Sequence, residues 1–186
     1  MRVIAGSAGS HRLVVPKGAR LRPTSDAMRE ALFSSLTGLI PDCRFLDVYA
    51  GTGSVGIEAL SRGAELGVFI ERDRRCVQAI RLNLENTGLA DDAVVLQGDA
   101  KRLIGVALSK HGPFDVVFID PPYSDTGALT VASAALAGEG LAPGGVLILQ
   151  HSRHVELEGL PDPFRTKRFG ETQMSFFEPT EESASQ

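Results

Sequence analysis

The residues best suited to do chemistry in this chain stand at four places. LDVYAGTGSVGIEAL, residues 46–60, sets Gly51, Gly53 and Gly56 in the spacing G-x-G-x-x-G, just after an apolar run that contains Asp47. Glu71 lies 20 residues beyond the first glycine. Asp99 stands in QGDA, and Asp120-Pro121-Pro122-Tyr123 follows the apolar run FDVVFI. Three glycines at this spacing let the backbone approach a ligand closely, and an acid about twenty residues on can hold ribose hydroxyls. A purely structural tight turn needs only one or two glycines. The pattern therefore calls for an adenosine-containing ligand and leaves open which one.

Asp47 separates the two candidates. A dinucleotide would bring its pyrophosphate to the N–H groups of a helix N-terminus, beside this carboxylate. Like charges about 5 Å apart at an effective dielectric near 20 cost roughly 3 kcal/mol. S-adenosyl-L-methionine has no phosphates and carries an ammonium and a sulfonium, so the same acid attracts it. Glu71 suits the ribose of either ligand. Asp99 stands where an acceptor can meet an adenine amino group, and it equally suits the N-cap of the helix AKRLIGVAL.

Asp120-Pro121-Pro122-Tyr123 adds a second kind of chemistry. Proline fixes its own φ and pushes the preceding residue to extended geometry, so Asp120 and Pro121 are both held extended. The amine of a nucleobase is a poor nucleophile because its lone pair is delocalised into the ring. The Asp120 carboxylate and the Pro121 carbonyl can accept its two N–H bonds and turn the lone pair toward a methyl donor. They also oppose positive charge that develops only as the N–C bond forms. Tyr123 offers a ring on which a displaced base can stack. A rigid Asp-containing turn would explain the tetrapeptide alone; following the three-glycine loop and Asp47, the methyl-transfer reading explains more.

These residues need elements to position them, and the chain supplies β-α alternation from residue 44 onward. RFLDVY, LGVFIE, AVVLQ, FDVVFID and VLILQ read as strands. The helices between them begin at SVGIEALSRG, closed by Gly63; then come one with Val77, Ile80 and Leu84 on a face, ending near Gly88, and one with Leu103, Ile104, Ala107 and Leu108. The last carries Leu129, Ala132 and Leu136 and leads through the turn APGG. This implies an α/β, doubly wound parallel sheet whose ligands bind at the strands' carboxyl ends. FRTKRFGETQMSFFE reads instead as an antiparallel hairpin around Gly170, and PTEESASQ as a frayed polar tail. Ahead of the sheet, RVIAG and RLVVP suggest a small hairpin. RPTSDAMREALFSSLTG suggests a helix capped by Thr24 or Ser25, with Met28, Leu32, Leu36 and Leu39 toward the body.

Composition narrows the class. The 186 residues, 43% hydrophobic and 23% charged, suit one globular domain able to bury a core unaided. Cys43 and Cys76 have no metal or redox spacing and read as reduced thiols of a cytoplasmic protein; His11, His111, His151 and His154 share no metal-ligand spacing. No run approaches a membrane span, and MRVIAGSAGS lacks the apolar stretch of a signal peptide. The net charge of −4 is unevenly spread: residues 1–30 carry Arg2, Arg12, Lys17, Arg20, Arg22 and Arg29 against Asp26 and Glu30, or +4, and the remainder is −8. Such a basic segment on an acidic body suits a polyanion, and Arg2, Arg12, Lys17, Arg20 and Arg22, with His11, are its candidate phosphate contacts.

Asp47, the glycine loop, Glu71, Asp99 and DPPY resemble the ordered motifs of class I S-adenosylmethionine-dependent amino-methyltransferases. More narrowly, RPTSDAMREALF, LDVYAGTGSVGIEALSRGA, DPPY and FGETQMSFFE together resemble the bacterial 16S ribosomal RNA (guanine-N2) methyltransferases. The likeness runs from the N-terminal hairpin to the last strand. Tyr49 stands where that family commonly has phenylalanine, Thr52 replaces a serine, and Ser54-Val55 an alanine-leucine pair.

The resemblance implies a Rossmann-like fold with seven strands in the order 3-2-1-4-5-7-6, the last hairpin antiparallel. It divides the chain into an RNA-contacting extension (1–24), the catalytic domain (25–178) and a tail (179–186). It implies S-adenosyl-L-methionine as donor, S-adenosyl-L-homocysteine as product and no metal. The acceptor implied is guanine 966 of 16S ribosomal RNA within the small subunit, acted on by a monomer. The cofactor set is then Arg22, Thr24 and Asp26 at the methionine end, with Asp47, Tyr49, Ala50, Gly51, Thr52, Gly53, Gly56, Glu71, Arg72, Asp99, Ala100 and Asp120; Asp120, Pro121, Pro122 and Tyr123 form the catalytic set. Adenine N6 and a glutamine amide remain open as acceptors, since a DPPY loop presents any planar amine. A NAD-dependent oxidoreductase leaves Asp47 and DPPY unexplained, and an inert RNA-binding assembly factor has no need of DPPY.

Overall fold

The structure is a computed structural model and describes residues 1–16, 25–122, 125 and 127–179. Seven strands form one sheet: β1 (Arg44–Val48), β2 (Leu66–Glu71), β3 (Ala93–Gln97), β4 (Phe114–Ile119), β5 (Leu141–Ser152), β6 (Arg165–Phe169) and β7 (Thr172–Phe177). Their order is β3-β2-β1-β4-β5-β7-β6, parallel from β3 through β5, with β7 antiparallel to both β5 and β6. The expected sheet and its closing hairpin are both present. The helices are α1 (Asp26–Ser35), α2 (Ser54–Ser61), α3 (Arg74–Thr87), α4 (Ala100–His111) and α5 (Ala128–Leu136).

The sheet is covered on both faces, so its strands are apolar almost throughout. One core layer joins Phe45, Phe69, Val116, Phe118 and Ile148 to α1, α2, α3 and the N-terminal Val3, Ala8 and Leu13. The other joins Leu46, Val48, Val68, Ile70, Val117, Ile119, Leu147 and Leu149 to α4 and α5. Because side chains alternate along a strand, the polar residues that follow the apolar runs of four strands fall on the first face. Asp47 follows Phe45 by two, Glu71 follows Phe69, Asp120 follows Phe118, and Gln150 follows Ile148.

Several expectations shift at the edges. Ser25 caps α1, its Oγ accepting from Met28 N at 3.2 Å; Thr24 lies outside the described residues. The helix stops at Ser35, so the helical spacing no longer applies at Leu39, which is 38% exposed, while Phe33 and Arg29 join Leu32 and Leu36 inside. APGG is not a separate turn: β5 runs through it, with an irregular register opposite Phe114–Val116. The N-terminal hairpin reduces to one antiparallel bridge, Arg2 to Arg12.

That N-terminal segment is fastened to α2 by polar groups. The carboxylate of Glu58, fully buried, accepts from Ile4 N at 2.6 Å, Ala5 N at 3.0 Å and Arg62 Nε at 2.7 Å. Ser61 Oγ accepts from Ala8 N and donates to the Ala5 carbonyl. Arg29, counted above with the basic surface, is instead 0% exposed: it donates to Asp26 at 2.7 Å and to the Arg2 carbonyl at 2.7 Å. It is a buried strut, because α1 turns its stem into the core where carboxylate and carbonyl oxygens meet it.

Candidate active site

The β1–α2 junction is built around a helix start that has no capping side chain. Gly53, the N-cap of α2, adopts φ +76 and Gly51 φ +58, conformations that glycine takes without steric cost. Asp47 caps the helix from β1 instead: its Oδ2 accepts from Gly56 N, in the first turn, at 2.9 Å. Gly56 itself is required by packing, since a Cβ there would lie 2.3 Å from Cε1 of Phe69. Thr52 is buried, with its hydroxyl on the Met1 sulfur and its carbonyl on Asn83 Nδ2. Asn83 also bonds both backbone groups of Val14, tying the N-terminal segment to the loop.

Glu71 ends β2 and braces the same loop. Its Oε2 accepts from Gly51 N at 2.8 Å and its Oε1 from Asp73 N at 2.7 Å. Ala50 N bonds the Ile70 carbonyl at 3.1 Å. Tyr49 takes φ +64, which is rare for a bulky side chain and marks a loop held against its preference. Burial, together with the charge and hydrogen bond of Asp125, pushes its hydroxyl up. That contact links the glycine loop to the segment after β4, where Asp125 also accepts from Gly127 N at 2.7 Å to start α5. Asp99, exposed, is the N-cap of α4 through Lys101 N at 3.1 Å, with Ala100 buried beside it; Arg72 is exposed.

Burial changes what Asp47 can do. It is 2% exposed, and desolvation raises its carboxyl to about 8; the Gly56 hydrogen bond lowers it, and Asp120 and Glu71 raise it further. Burial thus weakens, in the ligand-free protein, the standing negative charge inferred from sequence. Low dielectric disfavours the ion and two neighbouring carboxylates repel it. A cation brought to this corner would reverse both effects.

Asp120 lies just past β4, half-buried, with its N–H on the Val48 carbonyl at 3.3 Å and its Oδ1 accepting from Gln150 Nε2 at 2.8 Å. Pro121 is half-buried and Pro122 exposed. Tyr123 lies outside the described residues, as do Lys17, Arg20 and Arg22. Arg2, His11 and Arg12 are exposed on the N-terminal segment, and Asp26 is spent on Arg29. Burial lifts the Cys43 thiol to about 12 and Cys76 to about 11, which leaves both unreactive. Among the described residues, no cluster could hold a metal ion, and no helix is long and apolar enough to cross a membrane.

The structure therefore unites Asp47, Glu71 and Asp120 where adjacent parallel strands end. Sequence reasoning missed Gln150, Asn83 and the buried Glu58, which also lies 3.9 Å from the Arg29 guanidinium. The available signals were a glutamine ending an apolar strand and polar residues inside the buried stripes of α2 and α3.

A family model described as conserved hypothetical protein 95 matches residues 1–178. The chain belongs to this family. YlbH of Bacillus subtilis (strain 168), provisionally named an rRNA methyltransferase, is 35% identical over 157 residues, 84% of this chain and 85% of its own. Ribosomal RNA small subunit methyltransferase D of Escherichia coli (strain K12) is 40% identical over 123 residues, 66% of this chain and 60% of that protein. A solved Escherichia coli structure, provisionally called methyltransferase yhhF, aligns with a TM-score of 0.81 at 30% identity over 95% of this chain and 96% of that one. The conserved hypothetical protein 95 family member described here thus has the Rossmann-like fold of class I methyltransferases.

Proposed function

We propose that this protein transfers a methyl group from S-adenosyl-L-methionine to the exocyclic N2 amine of one guanine of 16S ribosomal RNA in the small subunit, guanine 966 by family resemblance. The observation that carries the reading is the convergence of Asp47, Glu71 and Asp120 on one sheet face beside a glycine loop. A buried carboxyl at Asp47 with Glu71 and Asp120 beside it fits a cationic adenosine ligand, which would draw off its proton, and offers a pyrophosphate no counter-charge. When bound, S-adenosyl-L-methionine supplies an electrophilic methyl on a sulfonium. Asp47, the Gly51 and Gly53 backbone, Glu71 and Asp99 would hold it, and no metal takes part.

This chain's own residues do the rest by positioning and electrostatics. Asp120 and the Pro121 carbonyl accept the amine's two N–H bonds, which aims its lone pair and opposes the charge that builds on nitrogen. The departing proton leaves from that nitrogen toward Asp120 or solvent. Arg2, His11 and Arg12, with Lys17, Arg20 and Arg22, bind RNA phosphates, so affinity falls steeply with salt. An RNA-contacting segment 1–24 on a catalytic domain 25–178, acting as a cytoplasmic monomer, completes the reading.

The test is tritiated-methyl transfer to small subunits from a strain lacking the native activity, followed by nucleoside analysis. N2-methylguanosine at one site is expected. N6-methyladenosine, or label in protein, would overturn the acceptor, and calorimetric binding of NAD in place of S-adenosyl-L-methionine would overturn the reaction.

A further inference from the structure

We infer that Gln150 is the positioning residue for the acceptor carboxylate, which rests on the reading that Asp120 receives the acceptor amine. Gln150 ends the apolar core of β5, one strand over from Asp120, and is 3% exposed. Its Nε2 donates to Asp120 Oδ1 at 2.8 Å, and because a carboxylate oxygen only accepts, this bond also settles which end of the amide is nitrogen. Its Oε1 is buried without a hydrogen-bond partner among the described residues.

The half-paired amide is informative. A buried acceptor left unmade is destabilising, and an apolar side chain of similar volume would fit the core layer of Ile148 and Val146 without that defect. What the amide adds is one directed donor to Asp120. Proline geometry after Asp120 fixes the backbone, and the carboxylate's own orientation depends on its hydrogen-bond donors, of which Gln150 is one. The Gln150 N–H directs that orientation and favours the ionised acid, the form that accepts an amine N–H. Asp47 on β1 and Glu71 on β2 are the other carboxyls that face this corner. His151, next along β5, turns to Ser175 on β7 at 2.9 Å and does not face this corner.

Gln150→Met keeps the volume and removes the donor; Gln150→Asn keeps the amide and shortens its reach. In both, kcat for RNA methylation should fall roughly ten- to a hundredfold, the scale of a lost positioning contact. KM for RNA and the affinity for S-adenosyl-L-methionine should stay within about threefold. In parallel, 13C NMR of the side-chain carboxyls should show Asp120 titrating higher than in wild type, because the charged form has lost a donor. A purely structural glutamine would change melting temperature and leave kcat and the Asp120 titration where they were; that result would overturn the assignment. If wild type fails to methylate RNA, the proposed function falls, while the Asp120 titration still decides the role of Gln150.

Discussion

Asp47 and Asp120 stand at the ends of neighbouring parallel strands, on one face of the sheet. Asp47 is 2% exposed, caps α2 through Gly56, and is raised to about 8 by desolvation. Asp120 is half-buried, past its strand's last residue, and held from the side by Gln150. The pair teaches that depth, set by where each strand stops, buries one aspartate as a loop organiser and leaves the other half-open at the strand ends.

The comparison can be broken most decisively at Asp120. Asp120→Ala should lower methyl transfer at least about a hundredfold, the usual cost of losing a group that stabilises developing charge. Cofactor affinity by calorimetry should change little, and a parallel loss of binding in a folded variant would return Asp120 to the cofactor side. At Asp47 the expected effects are on binding, stability and pH. Asp47→Asn should weaken cofactor binding roughly tenfold, the scale of one charge-assisted contact.

The folded, ligand-free protein also holds a proton on Asp47 that the unfolded chain releases above its ordinary value of 3.8. The stability this proton confers is full below about pH 4 and is lost as pH rises toward about 8. Denaturation curves across that window should decline in wild type and flatten in Asp47→Asn. Binding of a cationic cofactor should expel the proton. Calorimetry near pH 7 in buffers of different ionisation enthalpy should therefore show proton release in wild type only, and equal heats in all buffers would remove Asp47 from the ligand's surroundings.

Two smaller effects sharpen the same contrast. Gly56→Ala should cost about 1–3 kcal/mol of stability by overpacking against Phe69, read by denaturant titration, with partial recovery in Phe69→Leu. A loss of cofactor affinity at unchanged stability would instead assign Gly56 to the ligand. Asp99→Ala should cost roughly 1 kcal/mol or less as a lost cap on α4. A weaker cofactor on top of that would give Asp99 its second role at the adenine.

Much of this was legible in the chain. The alternation of strands and helices required a parallel sheet, and the hairpin around Gly170 required an antiparallel end. Phe45 before Asp47, Phe69 before Glu71 and Phe118 before Asp120 repeat one two-residue step, which by strand alternation alone places three acids on one face. Gln150 after Ile148 takes the same step and was passed over, because an uncharged amide at a strand end looks unremarkable in one dimension. Arg29 was counted with the basic N-terminal segment for the opposite reason: charge is visible in a sequence, and burial against Asp26, the Arg2 carbonyl and Glu58 is not.

Local periodicity and backbone chemistry belong to neighbours in sequence, so the sequence by itself determined the elements and the glycine turn. Pairing across strands and helices depends on long-range contact. Only the tertiary structure decided that burial raises the Asp47 carboxyl, that Glu71 braces the loop, that the N-terminal segment is clamped by Glu58, and that Asp120 accepts from Gln150. Those properties follow from desolvation and from hydrogen-bond partners dozens of residues away.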